Sequence, residues 1–130
     1  MPIPYGLFML DKVTEDKFYS ILASVGGAAI DPMSDDVAAG RLSKGKNHVW
    51  VFLKRSPIEE LEKDEVRAIT QQLGAVPATK ILLDVSREKD SEKLALKLAE
   101  AFCNENKCVV YDFDSKVLPI SNFDLLMRNQ

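Results

Sequence analysis

Histidine is nearly absent from this sequence, cysteine is scarce and no long apolar run occurs, and each shortage removes a class of explanation. The single histidine, His48, stands at the entry of an apolar stretch with no G-x-S-x-G or similar nucleophile motif, so a catalytic triad has no evident seat. A partly buried structural role is expected for it. Two cysteines, Cys103 and Cys108, are too few for a secreted disulfide framework or a structural zinc site, and reduced thiols in or near the core are expected. No apolar run approaches the ~20 residues of a membrane span, and the start of the chain lacks the pattern of a signal peptide. A cytoplasmic location without a membrane partner is expected. The P-loop, the dinucleotide fingerprint and His/Cys metal spacing are all missing, which weighs against an enzyme and implies no cofactor. An excess of basic charge is missing too. The net charge of −3 disfavours a general affinity for nucleic acid and makes a basic protein the natural partner. The small cluster Arg41, Lys44 and Lys46 reads as a solvated turn.

What is present describes a single domain. A chain of 130 residues with 46% hydrophobic and 28% charged residues can bury a core of its own, and no repeat, linker or low-complexity tract interrupts it. The stretch Thr79 to Ser86 (TKILLDVS), with Lys80 at its mouth and Ile81, Leu82, Leu83 and Val85 apolar, predicts a central strand covered on both sides. His48 to Leu53 (HVWVFL) and Cys108 to Phe113 (CVVYDF) flank it, each across a helical pattern, as parallel strands with crossover helices are written. Trp50 has apolar neighbours in its strand and reads as a core anchor. The fold class implied is α/β, with α+β the alternative. It is a single-domain mixed sheet, residues 1–130, with a parallel central trio packed by about three to four helices.

The flanking elements follow from local signals. Ile3 to Leu10 is strand-like, with Pro2 and Pro4 confining its start to an edge or an unpaired lead-in. Thr14 caps a helix carrying Phe18, Ile21, Leu22 and Val25 on one face and stopped by Gly26 and Gly27. Ala28 to Met33 and Val37 to Leu42 suggest short strands, the second entering a hairpin whose loop spans Ser43 to Asn47. Ser56, Pro57 and Glu59 write a second helix start, with a phase shift near Lys63 and Asp64 and an end at Gly74. A third helix, capped by Asp90 or Ser91, buries Leu94, Ala95, Leu98 and Phe102. A turn at Asp114 and Ser115, a strand over Lys116 to Leu118 and a short helix opened by Ser121 and Asp124 complete the order.

Two groups of acidic residues invite chemistry. Asp84, Asp112 and Asp114, beside Ser86, fall at predicted strand ends, where three carboxylates could hold Mg²⁺ for phosphoryl transfer or hydrolysis. The Asp-x-Asp of YDFDS resembles the haloacid-dehalogenase phosphatases and the Toprim nucleases. The phosphatases, however, want a threonine where this chain has Lys116, and no strand ends in the Glu and Gly-rich turn of a Toprim site. The other reading gives Asp84 a solvent-facing strand end and has Asp112 and Asp114 shape a turn. The second group comprises Asp31, Asp35 and Asp36 in one loop and Glu59, Glu60, Glu62, Asp64 and Glu65 along the second helix. These acids read either as a solvated face or as a steering surface for a cationic protein.

The succession HVWVFL, QQLGAVPATKILLDVS, SEKLALKLAEAFC and CVVYDFDSKV, from about Asn47 to Leu118, resembles the small cytoplasmic immunity proteins of bacterial polymorphic toxin and contact-dependent growth inhibition systems. Size, acidity and organisation carry the resemblance, and no functional residue comes with it. It implies a protein that binds and neutralises a toxin domain, often a nuclease, by covering its active site or a neighbouring surface; the charge balance, separately, makes a basic toxin and the second-helix and loop acids the expected contact. A metal-dependent enzyme using the strand-end aspartates and a regulatory or structural subunit are the alternatives.

Overall fold

The N-terminal strand sets the frame. In the computed structural model, which describes residues 2–33, 35–104, 107–114, 116–123 and 127, β1 (Ile3–Met9) lies inside the sheet. The other strands are β2 (Ala28–Ala29), β3 (Asp36–Lys44), β4 (Asn47–Lys54), β5 (Thr79–Val85), β6 (Cys108–Tyr111) and β7 (Val117–Pro119). Their order is β2-β3-β4-β5-β1-β6-β7, and every neighbouring pair is antiparallel. The class is therefore mixed α+β on an antiparallel sheet.

The parallel trio expected of His48 to Leu53, Thr79 to Ser86 and Cys108 to Phe113 is not formed. β4 runs antiparallel to β5. β5 and β6 do run the same way, but β1 lies between them, antiparallel to both, and α3 (Ser91–Phe102) carries the chain past it. A helix between two apolar strands suggests parallel neighbours because those need a long crossover. The pattern is silent about a third strand filling the gap. The start of β1, which Pro2 and Pro4 confine to an edge or an unpaired lead-in, is paired on one side only. β6 joins β1 only from Gly6 onward, so Pro4 has a strand partner, Asp84, on one side alone. It stands at a local edge, which proline tolerates.

The helices follow their caps. The Thr14 hydroxyl accepts the Lys17 amide at 3.2 Å to open α1 (Glu15–Ser24), which buries Phe18 and Leu22. The helix expected from Ser56 begins later, as α2 (Lys63–Leu73), because Glu62 and Glu65 close a capping box and Ser56 to Glu59 do not. The Glu62 amide donates to the Glu65 carboxylate at 2.7 Å. Gly74, at φ +96°, ends α2 in the left-handed conformation. α3 buries Leu94, Ala95, Leu98 and Phe102 as its spacing predicts. The β3–β4 hairpin is tighter than expected, with only Gly45 and Lys46 between the strands and Gly45 at φ +63°. A 3-10 turn at Ile120–Asn122 follows β7. Ser115 and Asp124, assigned above to a turn and a helix start, lie outside the described residues.

Two layers of helix cover the sheet unequally. α1 and α3 pack one face, where Tyr5, Leu7, Phe18, Leu22, Val51, Leu83, Leu98 and Phe102 belong to one core. α2 lies on the other face over β1, β6 and β7, around Phe8, Ile69, Leu73, Val109 and Tyr111. The β3–β4–β5 half of that second face has no helix among the described residues. Trp50 faces this side, opposite to Val49 and Val51, and is half-buried, which corrects its reading as a core anchor. Cys103 and Cys108 form a disulfide, not the reduced thiols expected, because the end of α3 and the start of β6 meet with their Cα atoms 5.7 Å apart. Among the described residues no helix is long and apolar enough to cross a membrane.

Candidate protein-binding face and its pocket

Cross-strand pairing builds the open half-face in two rows. Arg41, Trp50, Asp84 and Pro4 stand opposite one another across β3, β4, β5 and β1, and Ala39, Phe52, Leu82 and Gly6 form the next row. Directly opposed side chains on one face lie close enough to pack. Trp50, Phe52 and Leu82 are half-buried, so they form an apolar strip still open to water. His48 stacks on Trp50 at 5.7 Å between ring centroids, and its Nδ1 lies 2.8 Å from the Ser43 hydroxyl. Its amide donates to the buried Ser91 hydroxyl. These contacts are structural, as its entry position suggested.

Phe113 bounds the strip. It holds φ +62°, a costly conformation for an aromatic residue, and its ring lies 4.9 Å from that of Tyr111. Gly6 makes room for it, because a Cβ there would come within 3.1 Å of the Phe113 ring and 2.8 Å of the Phe8 ring. The Nζ of Lys80 sits 5.1 Å from the centre of the Phe113 ring and 6.0 Å from that of Phe8.

The acidic residues divide by task. Asp36 is buried, bonds the Lys54 ammonium at 2.7 Å and accepts the Met33 amide, so it fixes its loop to β4 and is not free for a partner. Glu62 and Glu65 close the α2 capping box, and Glu65 also accepts the Tyr111 hydroxyl. That bond, with the Glu62 amide, holds the Glu65 carboxyl below its usual range. Asp64 is exposed, 4.0 Å from Arg67. Asp31, Asp35, Glu59 and Glu60 are exposed. Asp35, Glu59 and Glu60 come together around a pocket of about 160 Å³ whose other walls are Lys54, Arg55, Ser56 and Lys80. Asp64, Glu65 and Asp114 line a second groove with Tyr111 and Phe113. The charges of both Glu60 and Glu65 reach Lys80, which stands between the two.

The strand-end aspartates do not converge. Asp84 belongs to the second face, beside Trp50, and burial pushes its carboxyl above the usual range. Asp112 bears on Tyr5, a member of the core on the first face. Its Oδ1 accepts the amides of Asp114 and Lys116, at 2.9 and 3.1 Å, which is turn-shaping. Among the described residues no group of three or more His, Cys, Asp or Glu side chains could hold a metal ion.

Sequence reasoning missed the open strip and the burial of Lys80. The signal for both was alternation: His48, Trp50, Phe52 and Lys54 share one phase of β4, and Lys80, Leu82 and Asp84 the same phase of β5. No protein-family model matches the chain, and comparisons with curated proteins and with solved structures found no match.

Proposed function

We propose that this chain is a binding protein of the immunity type, which neutralises a basic toxin domain, such as a nuclease, by direct contact. The observation that carries the reading is the pairing of a half-buried apolar strip, Trp50, Phe52 and Leu82, with exposed carboxylates at Asp35, Glu59 and Glu60. Interfaces are built this way, with aromatic anchors at the centre and a polar rim that steers approach. Asp31, Asp35, Glu59, Glu60 and Asp64 remain the contact acids, while Asp36, Glu62 and Glu65 serve the fold. The encounter takes place in the cytoplasm, where the Cys103–Cys108 bridge would be reduced; the bridge closes a short loop, so it adds less stability than a long-range bridge would.

Co-expression with the product of the gene immediately upstream tests the reading. Rescue from that product's toxicity and co-purification of the two proteins are expected. A neighbour that is neither toxic nor bound would overturn it.

A further inference from the structure

Among the described residues, the Thr70 hydroxyl is buried without a hydrogen-bond partner, and of the four polar residues buried as a whole three are answered in kind. Asp36 meets Lys54, Thr79 bonds the Val13 amide and the Asp11 carbonyl, and Ser91 accepts the His48 amide. The fourth, Lys80, is only 6% exposed; its side chain makes no hydrogen bond or salt bridge among the described residues, and its Nζ stands over the rings of Phe113 and Phe8. Its side chain lines the 160 Å³ pocket.

We propose that Lys80 is a reactive amine that captures small aldehydes or 2-oxo acids in this pocket as an imine. An ammonium kept for an anionic ligand wants a positive site, but Lys54, Arg55 and Lys80 are matched there by Asp35, Glu59 and Glu60. A neutral amine needs no counter-ion. Burial favours that neutral form and is the largest influence on Lys80; Lys54 pushes the same way, while Glu60 and Glu65 oppose it. The Nζ lone pair adds to the carbonyl carbon, and the π pair of the C=O bond moves to oxygen. Both amine hydrogens then leave with that oxygen as water, and a C=N bond remains. Nothing is oxidised or reduced. Glu59 and Glu60 line the pocket to relay the protons, and the Ser56 hydroxyl can donate to the carbonyl oxygen.

The full chain is treated near neutral pH with glyoxylate or with propionaldehyde, each with cyanoborohydride to trap the imine, and alkylation is mapped by peptide mass spectrometry. Lys80 should be modified about tenfold faster than the exposed Lys44 and Lys116. Its advantage should vanish in denaturant. Fast labelling by glyoxylate alone would assign Arg55 to the carboxylate, and fast labelling by both would make the site a general carbonyl trap. Lys80→Arg, which keeps a long side chain over the rings but forms no imine, should abolish the fast phase and leave the other lysines unchanged. Lys80 labelled no faster than Lys44, or a fast phase that survives in Lys80→Arg, overturns the proposal.

Discussion

Burial pushes the phenol of Tyr5 from 10.0 up to about 12, with Asp112 and Glu92 adding to the shift and Arg87 opposing it. The unfolded chain therefore loses this proton first as pH rises. Stability is full below pH 10 and falls between pH 10 and 12, by about 2 to 3 kcal/mol at most for a single group displaced this far. Tyr111 is raised as well, by burial and by its bond to Glu65, and adds to the alkaline loss. Urea unfolding of Tyr5→Phe should show a smaller drop across this window than wild type, and an equal drop removes Tyr5 from the account. Glu65 acts at the other end, its lowered pKa contributing stability above the ordinary carboxylate range that is lost as pH falls through the folded value. Leu83, fully buried, was legible as a core position from its strand, and Leu83→Ala should cost about 2 to 5 kcal/mol in chemical denaturation. Lys80 was not legible, because a lysine in an apolar run looks like a strand end until its neighbours across the sheet are known.

At the level of elements, helix boundaries were readable where a cap is written in local sequence. Thr14 and Gly74 stand where expected, whereas Ser56 lost to Glu62 because only Glu62 has a partner three residues on that completes the box. Strand pairing was not readable, since it depends on residues some seventy positions apart, such as Leu7 and Ile81. The α2 approach supplies a sharp separation of roles. Glu59→Lys with Glu60→Lys should leave the melting temperature nearly unchanged, because both side chains are exposed outside the capping box. The same pair should slow association with a basic partner at low salt, with the difference shrinking as salt rises. Equal rates at low salt exclude this segment from the interface. The link between α3 and β6 is set by the disulfide, and replacing Cys103 and Cys108 by serine should cost roughly 2 kcal/mol, given the short loop it closes. Thermal unfolding with and without reductant measures it.

For the molecule as a whole, the alternation of apolar strands and helices suggested α/β with a parallel trio where an antiparallel α+β sheet stands, and the inequality of the two sheet faces stayed hidden. Strand alternation marks Trp50 and Phe52 as sharing a side, but whether a helix covers that side depends on where α2 lands, and it lands over β1, β6 and β7. Trp50→Ala should speed dissociation of a bound partner far more than it slows association, because a central aromatic anchor acts after encounter. Surface plasmon resonance separates the two rates. An unchanged dissociation rate places the contact elsewhere.

Of the seven strands β1 is made earliest, but it finds its place between β5 and β6 only when both have been made. Between Met9 and its partner Cys108 the ribosome adds enough chain, at roughly 5 to 20 residues per second, to keep β1 waiting about 5 to 20 s. Throughout that interval a strand that ends almost wholly inside the protein is bare, and the β3–β4 hairpin is the first sheet it could meet. The nascent chain thus offers chaperones a defined apolar segment, Tyr5 to Met9, and a defined moment of release, when Cys108 to Tyr111 leave the exit tunnel.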